Sequence, residues 1–366
     1  MIHALLALGA SAMPGPLPAQ ALPNPILFVT QFPVPDDFAT IGSVFANHLA
    51  APSRAGRGGD LYIRYPDGTL RNLTLEAGYG VASGLQGAGS IAVRDPAVHF
   101  SGTKAVFAMA IGAPTAQFQQ TQHRWELYEV TGLQQGQAAV IAKVPNQPAG
   151  FNNVQPAYAS DGDIVFVSDR PRDGSAHLYP QHDEYESTAT PTGLWRLDAD
   201  SGELTLLQHS PSGSFTPILD SFGRLLFTRW DHLQRDQQNE DAGSTTFNFS
   251  GEAAGSVPTL DRSEVFPEPR IAQPGSNLTG HRINHFFPWQ LNQDGTEEET
   301  LNHLGRHELH AFFDRSFTDD PELEEFNAQG RTNPNSVLNV LQLREDPTQA
   351  GRYVAIDAPE FDTHAS

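Results

Sequence analysis

The clearest pattern along the chain is an apolar run that follows a turn and recurs at intervals of about sixty residues. The runs are Ala105–Met109, Ile164–Ser168 and Leu225–Thr228. The turn segments before them are Asp95–Gly102, Gln155–Gly162 and Thr216–Gly223. Short apolar runs that are bounded by turn residues and rich in β-branched and aromatic side chains are typical of buried strands. We therefore predict consecutive β units in which the equivalent residues Phe107, Phe166 and Phe227 are buried.

Stretches in which apolar and polar residues alternate, closed by a hairpin turn, supply the second half of the unit. They are Asp60–Leu70, Trp125–Gly132, Gly193–Leu204 and Pro288–Thr296. Alternation with a period of two indicates a strand with one buried face, and Asp-Gly or Ser-Gly corners accept the positive φ that hairpin turns need. Each unit should therefore be an antiparallel meander. Because one such sheet cannot bury both faces, we predict an all-β fold, a β-propeller of four-stranded blades.

The pattern divides the chain into a leader, residues 1–22, and a β-propeller domain, residues 23–366. Blade-like units are expected at about 25–74, 92–144, 153–210 and 215–305, with a partial unit at 336–366. An insertion at 231–285, rich in Gln, Asn, Asp, Gly and Ser, is too polar to form its own core, so we expect a long loop or a disordered flap. A short helix is expected within residues 306–330.

Two groups of motifs resemble known propellers. Residues 156–170, which read Pro-x-x-x-Ser-Asp-Gly-Asp-Ile-Val-Phe-Val-Ser-Asp-Arg, and Leu194–Asp198 resemble the WD40-like PD40 blade of TolB-type propellers. Pro25–Thr30, Phe227–Asp231 and the insertion that follows resemble the propeller region of proteins related to the hydrazine synthase alpha subunit. TolB-like propellers have six to eight blades. The resemblance therefore implies that four units and a partial fifth make an incomplete propeller, in a chain that is a fragment of a longer protein.

The resemblance also bears on function. It implies that the propeller docks a protein partner or a redox subunit. The later domains of the hydrazine synthase alpha family carry c-type haem on Cys-x-x-Cys-His, whereas this chain has no cysteine, so haem is expected only in domains downstream of Ser366. No cofactor motif, nucleophile elbow, P-loop or dinucleotide fingerprint is visible. We expect a non-catalytic binding or scaffold module, and the alternative is a subunit of a haem- or metal-dependent oxidoreductase.

The net charge of the chain indicates which classes of partner are disfavoured, and its first residues indicate whether the protein is exported. The chain has 43 acidic and 22 basic residues, a formal net charge of −21, which disfavours nucleic acid and anionic membranes as partners. Ala4–Ala10 is a short apolar stretch, and Ala19-Gln20-Ala21 fits a signal-peptide cleavage site. No stretch reaches the roughly 20 apolar residues of a membrane span. We therefore expect a periplasmic or secreted protein, and the sequence does not indicate a small-molecule ligand.

A first candidate binding site lies where the fourth unit meets its insertion. Arg229, Trp230, Asp231 and His232 follow a buried strand, so they should lie at a blade edge, where propellers bind ligands. Tryptophan and arginine are frequent hot-spot residues at interfaces. The alternative is that the tryptophan only packs within the blade.

A second candidate is a histidine cluster. His303, His307 and His310 are spaced four and three residues apart, which on a helix places the three rings on one face, as metal binding requires. The alternative is that they are ordinary histidines of a helix surface or an interface.

Overall fold

In the part of the chain that the structure describes, short strands follow one another with almost no helix. A computed structural model describes residues 23–30, 57–80, 88–113, 123–170, 193–209, 214–232, 248–249, 258–259, 284–301 and 340–357. In chain order the strands are β1 (Ile26–Val29), β2 (Leu61–Arg64), β3 (Leu70–Asn72), β4 (Ile91–Val98), β5 (Lys104–Ile111), β6 (Trp125–Thr131), β7 (Val140–Lys143), β8 (Asn153–Tyr158), β9 (Ile164–Ser168), β10 (Gly193–Leu197), β11 (Leu204–His209), β12 (Ser214–Leu219), β13 (Arg224–His232), β14 (Asn248–Phe249), β15 (Pro258–Thr259), β16 (Asn284–Asn292), β17 (Glu299–Thr300), β18 (Val340–Glu345) and β19 (Tyr353–Asp357). The helix α1 (Leu73–Glu76) is a single turn.

These strands form antiparallel sheets that follow the order of the chain. Blade 1 is β1-β2-β3, blade 2 is β4-β5-β6-β7, blade 3 is β8-β9-β10-β11, and blade 4 is β12-β13-β16-β17. A fifth unit is the β18–β19 hairpin, and β14 pairs with β15 inside the predicted insertion. The fold is therefore an all-β propeller arrangement, as the sequence predicts. The described residues provide four blades and a hairpin, and a six-bladed ring is not seen among them.

Apolar side chains fill the spaces between neighbouring blades. One core joins blades 2, 3 and 4, and a second core joins blades 1 and 2 through residues such as Leu61 and Ile63. Phe166 and Phe227 belong to the first core and Phe107 to the second, and all three side chains are fully buried. The predicted burial of these phenylalanines is confirmed. It follows from their place in the second strand of each blade, which has a neighbouring strand on both sides.

The repeated turn lies between the first and second strands of blades 2, 3 and 4. The N–H of Gly102 donates to His99 O at 2.8 Å, and the same contact recurs at Gly162 and Gly223. These glycines have φ of 66°, 99° and 81°, in the left-handed region that glycine enters without a Cβ clash. The first half of each predicted turn segment is instead strand, because β4, β8 and β12 continue to Val98, Tyr158 and Leu219.

Several predictions fall partly or wholly outside the described residues. The leader, the helix expected at 306–330 and the three histidines from 303 to 310 lie there. The insertion begins after β13, which ends at His232, and ends before β16, which begins at Asn284. The partial unit at 336–366 corresponds to the β18–β19 hairpin. Within the described ranges, no helix is both long and apolar enough to cross a membrane.

Candidate functional site

The first strands of successive blades lie side by side and form the innermost wall of the propeller. β4 contacts β8, β8 contacts β12, and β12 contacts β18. Each of these strands has a bulge at the same place, where its pairing with the next strand shifts register. A residue other than glycine has positive φ at each bulge: Asp95 (54°), Gln155 (53°), Thr216 (51°) and Gln342 (56°). A bulge bends its strand and redirects a side chain, so the four bulges shape one common surface.

A cavity of about 370 Å³ lies against these bulged strands. Its lining residues are Asp95, Pro96, Ala97, Val98, Phe100, Gln155, Pro156, Ala157, Tyr158, Thr216, Pro217, Ile218, Leu219, Arg344, Glu345 and Pro347. Polar and apolar groups share this wall about equally. Concave sites of this size are typical of small-molecule binding sites. We call it the axial cavity.

Most acceptor groups of the axial cavity are already engaged by the protein. Gln155 Oε1 accepts from the backbone N–H of Thr216 at 2.8 Å. Asp95 Oδ2 accepts from Arg94 Nε at 2.5 Å. The Glu345 carboxylate accepts from the N–H and the hydroxyl of Ser221, both at 2.7 Å, and also from the N–H of Gly351. Gln155 is therefore tied to blade 4 and Glu345 to the β12–β13 turn of the same blade, whereas Asp95 is held by its own neighbour in β4.

Two polar atoms in residues that line the cavity are not engaged in hydrogen bonds within the described part of the protein. Gln155 is 2% exposed and Thr216 is 5% exposed. Yet Gln155 Nε2 and Thr216 Oγ1 have no hydrogen-bond partner among the described residues. A buried donor without a partner costs about 1–3 kcal/mol, so native proteins contain few of them. Both atoms belong to residues that line the same cavity, and a bound molecule could satisfy them.

Arg344 supplies the cavity with a positive charge. Its Nη1 donates to the carbonyl of Leu343 at 2.8 Å, and within the described part of the chain no carboxylate lies within ion-pair distance of it. Desolvation lowers the pKa of Arg344, and the charge of Asp95 opposes that shift. Arg94, which holds the Asp95 carboxylate, is 6% exposed and lies over the Trp125 ring at 5.2 Å. Two guanidinium groups therefore share the charge of one carboxylate.

The predicted site residue Arg229 lies inside blade 4. Its side chain is 1% exposed, its Nη1 donates to Glu298 Oε1 at 3.0 Å, and its guanidinium lies 4.5 Å from the centre of the Trp289 ring. Arg229 is on β13, the second strand of the blade, and it is not among the residues that line the axial cavity. The structure therefore gives it a packing and ion-pair environment. A role in ligand binding stays a prediction.

The other predicted site residues are only partly located. Trp230, Asp231 and His232 form the last part of β13 and pair with Phe286, His285 and Asn284 of β16. His303, His307 and His310 lie outside the described residues. Within the described ranges, no group of three or more His, Asp or Glu side chains is arranged to hold a metal ion. Metal binding by the three histidines therefore stays a prediction as well.

Sequence reasoning missed the residues of the axial cavity. The available signal was the dipeptide of a polar residue and proline, which occurs at the same place in three units as Asp95-Pro96, Gln155-Pro156 and Thr216-Pro217. As part of a turn segment, this dipeptide does not predict a bulge. Arg344 had no such signal, because Gln342 in the fifth unit precedes leucine.

Comparison with known proteins gives only distant structural likeness. No family model matches the chain, and no curated protein matches its sequence. Hydrazine synthase from Kuenenia stuttgartiensis is 12% identical, with a TM-score of 0.42, over 76% of this chain and 32% of that chain. A TolB-type protein from Agrobacterium tumefaciens is 14% identical, with a TM-score of 0.34, over 67% of this chain and 56% of that one. TolB from Acinetobacter baumannii is 15% identical, with a TM-score of 0.28, over 66% and 47%.

These proteins belong to the same two groups that the motifs of the chain resemble. The chain spans 32% to 56% of their lengths. Because the TM-scores are low, the propeller arrangement is inferred from the sheets and the shared cores of this chain itself.

Proposed function

We propose that the protein is a non-catalytic binding and scaffold module, located outside the cytoplasm, and that its axial cavity holds a small ligand. The observation that carries the proposal is the cavity itself, whose lining residues include two buried polar atoms that have no hydrogen-bond partner among the described residues. Such a site binds and orients a molecule. The described cavity residues form no pair of nucleophile and base, so the proposal includes no reaction.

Matched tryptophan substitutions at two exposed valines test the cavity. Val98 lines it and is 49% exposed, whereas Val140, at the start of β7, is 60% exposed and lies outside the lining. A library of small anionic, neutral and cationic molecules would be screened by ligand-observed NMR against the full chain and both variants. We expect binders of the unmodified protein to be lost with Val98→Trp and kept with Val140→Trp. Binding that survives Val98→Trp would place the ligand elsewhere.

The second part of the test asks whether the protein converts the molecules that it binds into products. The NMR spectrum of each bound molecule should be unchanged after prolonged incubation with the protein. A new product that forms with the unmodified protein and not with Val98→Trp would contradict the non-catalytic proposal.

The location and the partner belong to the same proposal. The apolar stretch and the Ala19-Gln20-Ala21 site support export, and a mature N-terminus after residue 21 in a periplasmic or secreted fraction would be the expected result. A protein partner or partner subunit is proposed from the resemblance to the hydrazine synthase alpha subunit. Binding at the edge of blade 4 by Trp230, Asp231 and His232 is part of that proposal, with Arg229 supporting them from inside the blade through its ion pair with Glu298.

The alternative function is a subunit of a haem- or metal-dependent oxidoreductase. The spacing of His303, His307 and His310 favours it. Elemental analysis after exhaustive dialysis separates the two proposals. A retained equivalent of metal that disappears when the three histidines are replaced by alanine would favour the oxidoreductase.

A further inference from the structure

The unsatisfied groups of the axial cavity indicate the chemistry of its ligand. We infer that the cavity takes a small carboxylate with a short apolar body. This inference rests on the proposed binding function and specifies its ligand class. It follows from which groups of the wall are free, where the charge lies, and what covers the rest of the surface.

The hydrogen-bonding groups that are free in the cavity can donate. Gln155 Nε2 is a donor and cannot accept, and the Thr216 hydroxyl can donate as well as accept. The acceptor of Gln155 is already used by the N–H of Thr216, and the Glu345 carboxylate accepts from Ser221 and Gly351. A ligand that brings acceptors therefore satisfies this wall, whereas a ligand that brings only donors leaves Gln155 Nε2 unpaired.

Arg344 is the group of the cavity that favours an anionic acceptor over a neutral one, against the two carboxylates of the lining, Asp95 and Glu345. Arg344 lines the cavity and lacks a carboxylate partner among the described residues, and the nearby Asp95 is held by Arg94. A carboxylate pairs with a guanidinium through two parallel hydrogen bonds, a geometry that a neutral amide reproduces poorly. The ligand carboxylate would pair with Arg344 and stabilise its charged form.

The remaining surface fits an apolar body. Four prolines line the cavity together with the side chains of Tyr158 and Ile218. The volume of about 370 Å³ is near the lower end of the range for small-molecule sites, roughly 300–1,000 Å³. A short aromatic or aliphatic acid fits these limits better than a polymer or a highly hydroxylated sugar, since the side chains of Asp95, Glu345 and Tyr158 already have hydrogen-bond partners in the protein.

Three probes of the same shape test the charge requirement. Phenylacetate is the anion, phenylacetamide the neutral analogue and 2-phenylethylamine the cation. Titration calorimetry with the full chain should give binding of phenylacetate, at least tenfold weaker binding of the amide, and no measurable binding of the amine. Equal affinity for acid and amide would overturn the inference about charge.

Two arginines of the β18–β19 hairpin provide a matched pair of variants. Arg344→Gln removes the charge from the cavity and should weaken phenylacetate binding at least tenfold. Arg352→Gln removes a charge from the same hairpin, where the arginine pairs with Asp346 outside the cavity, and should leave the affinity unchanged. Equal affinities for the two variants would overturn the role of Arg344.

Thr216→Val distinguishes a binding role from a structural one. The hydroxyl has no partner among the described residues, so its removal should leave the melting temperature of the free protein unchanged or raise it, while phenylacetate binding weakens about threefold to tenfold. A lower melting temperature with unchanged affinity would contradict the assignment.

The screen with Val98→Trp distinguishes an error in the ligand class from an error in the proposed binding function. If it finds neutral or cationic binders of the cavity while phenylacetate does not bind, the ligand class is wrong and the binding function stands. If no molecule responds to Val98→Trp, the binding function itself is wrong.

Discussion

Blades 2 to 4 and the β18–β19 hairpin are built from the same repeat, but they are held in place very differently. The three blades share one continuous apolar core that includes Phe166, Phe227 and Trp289, all almost fully buried. The hairpin joins blade 4 through two small clusters, one around Leu341 and one around Leu343. Its outer strand leaves Val354 and Ile356 63% and 47% exposed. The blades are therefore held by their core, and the hairpin depends more on polar contacts.

Those polar contacts lie partly in the interior, where Tyr353 meets the buried Asp220, and partly at the rim, where Glu345 meets Ser221. Tyr353 donates its O–H to Asp220 at 2.9 Å, and Glu345 accepts from Ser221. Hydrogen bonds and ion pairs near solvent contribute less than buried ones because water competes for them. The two regions contribute different groups to the axial cavity. Its neutral groups, Gln155 and Thr216, lie in the well-packed blades, whereas its positive charge, Arg344, lies on the weakly held hairpin.

The largest effect is expected in the shared core. Phe166→Ala should lower the free energy of unfolding by about 3–5 kcal/mol, because it removes a fully buried ring and leaves a cavity among three blades. Phe222→Ala is the control, since that ring is 63% exposed and its loss should change stability by no more than about 0.5 kcal/mol. Denaturant unfolding followed by tryptophan fluorescence measures both. Similar values for the two variants would contradict the shared core.

A smaller and local effect is expected in the hairpin. Leu343→Ala should weaken the attachment of the hairpin by about 2–4 kcal/mol. Hydrogen exchange should therefore accelerate in residues 340–357 and stay unchanged in β9, because the hairpin can open without the blades. Val354→Ala, at an exposed position of the same hairpin, serves as the control. Faster exchange in β9 with Leu343→Ala would show that the hairpin and the blades unfold together.

The contact between Glu345 and Ser221 should contribute less to the stability of the hairpin than Leu343 does. Glu345→Gln replaces one acceptor oxygen that faces Ser221 or Gly351 with a donor, and we expect a loss of about 0.5–1 kcal/mol in hairpin opening. Glu203→Gln alters an exposed carboxylate at the β10–β11 corner and should have no effect on the hairpin. A loss as large as that of Leu343→Ala would mean that polar contacts, and not the small apolar clusters, hold the hairpin.

The smallest expected effect is a pH dependence of the hairpin turn. Hydrogen bonds from Thr348, together with Arg352, lower the pKa of Asp346 to about 2. The folded value lies below the ordinary value of 3.8, so the charged form stabilises the turn above pH 3.8, and this stabilisation is lost as the pH falls toward 2. An NMR titration of the turn should show a midpoint near the folded value, and Asp346→Asn should abolish that step. A midpoint near 3.8 would contradict the contacts of Asp346.

The sequence predicted the blades better than the cavity, for physical reasons. Alternation and apolar runs report which side of a strand is buried, and this sufficed for the cores around Phe107, Phe166 and Phe227 and for the hairpin near the end of the chain. A bulge instead depends on one residue that enters the left-handed region. Neither Gln155 nor the β-branched Thr216 prefers that region, so propensity argued against the bulges that shape the cavity.

Arg344 could not be predicted for a different reason. Its role depends on the stacking of the fifth unit against blade 4, which brings it to the same cavity as Gln155 and Thr216. That arrangement combines strands far apart in the chain, and no local pattern encodes it.

The bulges also lead to an expectation about which residues will replace Gln155 and Thr216 during evolution. A residue other than glycine in the left-handed region costs about 1–3 kcal/mol, and glycine at the same position would relax most of that cost. At positions 155 and 216, however, glycine would also remove the side chain that lines the cavity. Selection for stability and selection for binding therefore act in opposite directions at these two positions. Among descendants of this sequence, we expect lineages that no longer need the ligand to drift toward glycine or asparagine there.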